Sequence, residues 1–156
     1  MSKISPFLWF DDQAEDAANL YVSIFGGRIL DVRHWGAGGP APEGSVLSVT
    51  FEIDGRDYQA FNGGPDHEFN EAVSIWVNVE TQDELDSIWE QLIEGGGEGV
   101  ACGWLKDRFG LRWQVVPTVL GRLMSDPDPG RAARATQAML RMVKLDIAEL
   151  EAAAGE

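Results

Sequence analysis

The chain has 156 residues, 44% of them hydrophobic, enough for one domain with a proper core or for two small modules sharing one. Its 12 basic and 26 acidic residues leave a net charge of −14, which argues against nucleic acid, whose phosphates need a basic stripe, and against an anionic membrane surface. A lone Cys102 excludes an intrachain disulfide framework, and the absence of a signal-peptide pattern or a membrane-length apolar run predicts a cytoplasmic protein.

The first predicted element is a strand, in which Pro6, Leu8 and Phe10 alternate with Ser5, Phe7 and Trp9. Asp12 followed by Glu15 is a cap-and-glutamate signature for a helix that runs to Phe25, where Gly26-Gly27 closes it. Strands follow at 28–35, 46–53 and 57–61, the last two joined by the hairpin turn Asp54-Gly55. The glycine- and proline-rich segment 36–44 reads as a loop.

The chain then repeats itself at an offset of 69 positions (74 − 5), which lays Ser5 to Glu15 on Ser74 to Glu84. Thr81 and Glu84 repeat the cap, and Gly95-Gly96-Gly97 repeats the helix stop. The second copy is shorter, with one strand over 99–106, a turn at 107–110 and a strand over 111–117. Beyond it, Ser125 to Gly130 opens a single predicted helix over 131–153, whose apolar stripe of Ala135, Met139, Met142 and Leu145 suits docking on its own domain or on a partner subunit.

Three tempting motifs have simpler readings. The run Glu94-Gly-Gly-Gly-Glu-Gly99 follows a helix rather than opening one, so it reads as a helix stop and not as a cofactor loop. Cys102 has no histidine close in sequence to activate it as a nucleophile. His34 and His67 lack metal-ligand spacing.

The segments Phe61-Asn-Gly-Gly-Pro65, Phe69-Asn-Glu-Ala-Val-Ser74 and Cys102 to Pro117, set in two βαβββ modules, resemble the PhnB-like branch of the vicinal oxygen chelate superfamily. Glyoxalase I, extradiol dioxygenases and bleomycin- and fosfomycin-resistance proteins belong to that superfamily. The resemblance covers nearly the whole chain and implies an α+β fold. It comprises a first module over 1–62, a linker over 63–71, a shortened second module over 72–117 and a C-terminal helical extension over 118–156, all in one structural domain. Branch members are often labelled demethylubiquinone methyltransferase-like, a label the sequence does not support because no methyl-donor loop is present.

Metal-dependent relatives hold a divalent cation with histidine and glutamate side chains on the first and fourth strands of each module. The resemblance and the repeat place those positions at Ser5, Gln59, Ser74 and Gln114. Hydroxyls and amides leave the charge of zinc, nickel or iron uncompensated, so no metal or other cofactor is expected unless these positions are misassigned. The same alternation puts Phe7, Trp9, Phe61, Trp76 and Asn78 beside them, with Cys102 and Trp104 added to the groove. The opposite faces, Pro6-Leu8-Phe10 and Ile75-Val77-Val79, suit packing under the helices. The polar groups either meet a ligand or satisfy one another across the axis relating the modules.

The first functional expectation is a metal-free homodimer that binds a small aromatic or heteroaromatic molecule in this groove, with neither nucleic acid nor membrane as partner. The alternative is a metal-dependent glyoxalase- or dioxygenase-type enzyme with displaced ligands, drawing on His67, Glu68 or Glu71. A third is a protein-interaction module acting through the C-terminal helix.

Overall fold

The computed structural model describes residues 2–156, which divide into two compact units, one ending at Phe69 and one spanning Asn70–Glu156. The first unit contains β1 (Phe7–Phe10), α1 (Ala14–Phe25), β2 (Arg28–His34), β3 (Val46–Ile53) and β4 (Arg56–Asn62). Its sheet has the order β1-β4-β3-β2, with β1 and β4 parallel and the other neighbours antiparallel. The second unit repeats the plan with β5 (Ser74–Val79), α2 (Gln82–Ile93), β6 (Glu98–Ala101), β7 (Trp104–Lys106) and β8 (Arg112–Pro117), in the order β5-β8-β7-β6. Three helices follow: α3 (Val119–Met124), α4 (Pro129–Arg141) and α5 (Ile147–Ala154). The expected α+β architecture of two βαβββ modules with C-terminal helices is therefore the observed one. Among the described residues no helix is long and apolar enough to cross a membrane.

Strand alternation decides where each core sits. Leu8, Phe10, Val49, Phe51, Ile53 and Ala60 are buried on one face of the first sheet, under the Ala14, Ala17, Ala18 and Tyr21 side of α1. In the second unit Leu85, Ile88, Trp89 and Leu92 of α2 are buried with Val79, Leu105, Trp113 and Val115 of the sheet. Pro6, expected on the helix side, is exposed, because the strand begins one residue later and Pro6 uses only its carbonyl, which accepts from the Gln59 N–H at 3.0 Å.

Three local expectations are corrected. The helix α1 starts from Gln13 with no side-chain cap, so Asp12 does not serve that role. The Ala14 N–H instead donates to Oδ1 of Asn62 at 2.8 Å, an acceptor brought from the end of β4. Only the second copy uses the local device, with Thr81 Oγ1 accepting from the Glu84 N–H at 3.2 Å.

The single strand expected over 99–106 is a hairpin. Cys102 and Gly103 have φ of 53° and 86°, both in the left-handed region that a tight two-residue turn requires. The turn is held by the Cys102 and Gly103 N–H groups donating to the Met142 and Val143 carbonyls, both at 2.8 Å. The second module is thus complete in its strands.

The helix expected over 131–153 is likewise two helices. Met142 is extended, and the side chain of Gln82 reaches the connection from α2, donating to the Leu145 carbonyl at 3.1 Å and accepting from the Ile147 N–H at 2.8 Å. Asp146 then caps α5 by accepting from the Glu149 N–H at 2.9 Å.

Candidate functional site

Each sheet has a second face turned away from its helix, and the candidate residues lie there in cross-strand rows. In the first unit one row runs Phe7, Gln59, Thr50, Asp31 and the next runs Trp9, Phe61, Ser48, Arg33. In the second unit the rows are Ser74, Arg112, Lys106 and Trp76, Gln114, Trp104. The register makes Phe7 the twin of Trp76 and Gln59 the twin of Gln114.

The polar pairs are formed within each unit. Gln59 Nε2 donates to Ser5 Oγ at 3.2 Å, and Gln114 Nε2 donates to Ser74 Oγ at 2.9 Å. Each serine lies two residues before the aromatic residue that faces its glutamine, Phe7 or Trp76, so each bond runs diagonally across the parallel pair. Around them the aromatic residues are unusually open: Phe7 is 56% exposed and Trp76 is 55% exposed. Phe7 leans on Phe61 at 5.2 Å between centroids, and Trp9 meets the same ring edge-on at 5.0 Å. Trp76 is oriented by its own neighbour, its Nε1 donating to Asn78 Oδ1 at 2.8 Å.

The structure separates Cys102 from this group, since it occupies the β6–β7 turn rather than a strand row. Trp104 lies opposite Gln114 in its row. The linker set does not assemble: His67 packs its ring edge-on against Trp9 at 4.7 Å, whereas Glu71 pairs with Arg112 at 2.9 Å. Among the described residues no three His, Cys, Asp or Glu side chains converge as a metal-binding group.

Sequence reasoning missed the charged row of the second unit. Arg112 lies two residues before Gln114 and therefore shares its face, a signal that strand alternation carried. Arg112 also donates to the Gly110 carbonyl at 2.6 Å, and Lys106 pairs with Glu98 at 2.8 Å. The hydrogen bond from Arg112 holds the Glu71 carboxyl below its ordinary range, and that from Lys106 does the same for Glu98.

A depressed folded-state pKa means that each pair supports the fold above the ordinary carboxylate range. That support is lost as pH falls through the lowered value. Arg112→Met is expected to raise Glu71 toward the ordinary range, read as an upward move of its carboxyl titration by NMR; an unmoved titration would remove the pair as the cause.

No curated protein matches the chain. The family model described as 3-demethylubiquinone-9 3-methyltransferase matches residues 2–116. Among solved structures, a PhnB protein from Bacillus cereus described as a 3-demethylubiquinone-9 3-methyltransferase is 30% identical, with 75% of this chain and 100% of that one covered and a TM-score of 0.68. A Pseudomonas aeruginosa protein shares the fold at 22% identity and TM-score 0.59, over 75% of this chain and 98% of that one. A genomically encoded fosfomycin resistance protein from Listeria monocytogenes shares it at 15% identity and TM-score 0.51, over 75% of this chain and 93% of that one. With the repeated βαβββ sheets and a family match across both of them, the chain belongs to the PhnB-like family described as 3-demethylubiquinone-9 3-methyltransferase.

Proposed function

We propose that this protein is a metal-independent binder of a small aromatic or heteroaromatic molecule, held against the open aromatic faces of its sheets, and that it works as a homodimer. The observation that carries this reading is the pair of amide-to-hydroxyl hydrogen bonds, Gln59 to Ser5 and Gln114 to Ser74, at the positions where the resemblance expects metal ligands. Borderline divalent cations bind imidazole, thiolate and carboxylate groups, which supply basicity or charge. Two neutral amides and two hydroxyls supply neither, and each amide already donates to the serine beside it. The donor set does not fit the metal.

What the faces offer instead is planar apolar surface with polar groups at fixed points. Phe7, Phe61 and Trp9 form one such surface, and Trp76 and Trp104 flank Gln114 in the other. Rings present large area at little entropic cost, and a half-buried amide orients a carbonyl or ring nitrogen. The family description names a methyl transfer, but the glycine run after α2 ends that helix, with Gly95 at φ 79°, and opens no helix that would receive a methyl donor.

Protein purified without chelator or affinity tag should contain less than one equivalent of zinc, nickel, iron or manganese per chain. A full equivalent that disappears in Gln114→Ala would overturn the reading. With quinoline as a planar heteroaromatic probe, calorimetry should show saturable binding that Trp76→Ala weakens about tenfold, the loss of one aromatic contact. Its exposure leaves thermal stability nearly unchanged; a collapsed Trp76→Ala variant would make this residue a core group. A monomeric mass by light scattering removes the homodimer from the proposal.

A further inference from the structure

The end of the first sheet, beside the start of α1 and the loop between β2 and β3, holds a cleft of about 700 Å³. Its aromatic walls are Trp9, Trp35 and Phe61. Asp11, Asp12, Glu15 and Asp16 also line it, and no lysine or arginine does. None of these carboxylates is in an ion pair among the described residues.

The walls are held in place by the chain itself. Trp9 Nε1 donates to the Gly64 carbonyl at 2.9 Å. Gly63 lies so close beneath the Trp9 indole that a Cβ there would come within 2.3 Å of it, so only glycine permits this ring position. Trp35 is fixed through its backbone, its N–H donating to the Ser45 carbonyl and its carbonyl accepting from the Gly44 N–H, both at 2.8 Å. Its ring covers Gly39, where a Cβ would approach within 2.7 Å. The Trp9 indole is therefore ordered before any ligand arrives, and the Trp35 indole rests on Gly39, which lowers the entropic cost of binding.

The chemistry of such a cleft selects charge. Aromatic faces attract cations through their quadrupoles, most strongly for tryptophan, and the carboxylates add a negative field that rejects anions. Acidic residues in a first helical turn are explained by the helix dipole, which accounts for Glu15 and Asp16. It does not account for two indoles and a phenyl ring around the same space, nor for the absence of a basic residue there.

We propose that this cleft binds an organic ammonium cation, a quaternary or alkylated amine whose charged head lies among Asp11, Asp12, Glu15 and Asp16 and whose body rests on Trp9, Trp35 and Phe61. The site shares Trp9 and Phe61 with the sheet face discussed above but does not depend on that face binding anything. The test therefore weakens the site through residues that belong to the cleft and not to that face, with Trp76 as a control.

Choline and 3,3-dimethylbutan-1-ol have the same shape and differ by one charge. Calorimetry on the full chain should show saturable choline binding and at least about tenfold weaker binding of the neutral alcohol. Asp12→Asn with Glu15→Gln, both exposed positions, should weaken choline by about tenfold or more, and Trp35→Ala should do so independently. Trp76→Ala should leave choline binding intact, which separates this site from the sheet face of the second unit. Equal affinity for the two probes, no saturable choline signal, or full binding in the charge-neutralised variant would each overturn the proposal.

Discussion

Asp107→Ala is expected to cost about 3–5 kcal/mol of unfolding free energy, read as a large fall in the urea midpoint. The carboxylate is only 1% exposed, yet it organises the whole turn between β7 and β8. Its Oδ1 accepts from the Phe109 N–H at 2.9 Å and the Leu111 N–H at 3.0 Å, and its Oδ2 accepts from Trp113 Nε1 at 2.9 Å. Removing it leaves these donors in a dry site without their acceptor, and each costs about 1–3 kcal/mol.

Asp107→Asn keeps one oxygen for the backbone pair but turns an N–H₂ toward an indole that can only donate. It should fall between alanine and wild type. The turn sets the register of Arg112 and Gln114 against Lys106 and Trp104, so ligand binding on that face should fall together with stability. A loss below about 1 kcal/mol in Asp107→Ala would mean that water replaces the carboxylate and that the turn is held by its backbone.

Gly27→Ala is expected to cost about 3 kcal/mol or more, and its twin Gly96→Ala about 1–2 kcal/mol. The two glycines occupy corresponding positions after α1 and α2, with φ of 125° and 122°, so alanine meets the same backbone strain at both. Their surroundings differ. A Cβ on Gly27 would lie 1.9 Å from the Glu52 carbonyl oxygen, a backbone atom of β3 that cannot move without breaking the sheet. A Cβ on Gly96 meets nothing nearer than the Arg108 Cβ at 4.0 Å. The difference between the variants isolates the collision from the strain. Equal losses would show that the approach of Gly27 to β3 contributes nothing.

These residues also show what local pattern could and could not reveal. The offset of the internal repeat aligned Ser5 with Ser74, and the observed strand pairing carries Gln59 and Gln114 to matching places beside them. Within the strands, Pro6 lying outside β1, alternation separated the faces because a strand has a period of two, whatever it packs against. The Asp54-Gly55 turn was legible for the same local reason, with φ of 49° and 70°. The start of α1 was not, although its residues match the start of α2 in pattern. Its acceptor is Asn62, which also donates to the Val46 carbonyl at 3.1 Å and so belongs to the sheet.

The C-terminal break follows the same logic. The residues 142–147 carry a helical stripe, but their backbone groups are engaged by the Cys102–Gly103 turn and by Gln82. A propensity summed along a helix is a weak preference, and a set of tertiary hydrogen bonds outweighs it. The Lys144 ion pair with Asp86 at 2.8 Å ties the same connection to α2.

The sequence by itself determined the repeat of the module, all but one hairpin of its second copy, the twin positions within it and the neutral character of the paired serines and glutamines. Those are properties of period, turn chemistry and residue type, which neighbouring positions carry. Only the tertiary structure decided that each glutamine bonds the serine of its own unit, that Lys106 joins the row of Arg112, and that Trp35 and Trp9 line one acidic cleft. The walls of a cleft and the partners of a hydrogen bond come from residues tens of positions apart. Periodicity records which way a side chain points and leaves unrecorded what it will meet.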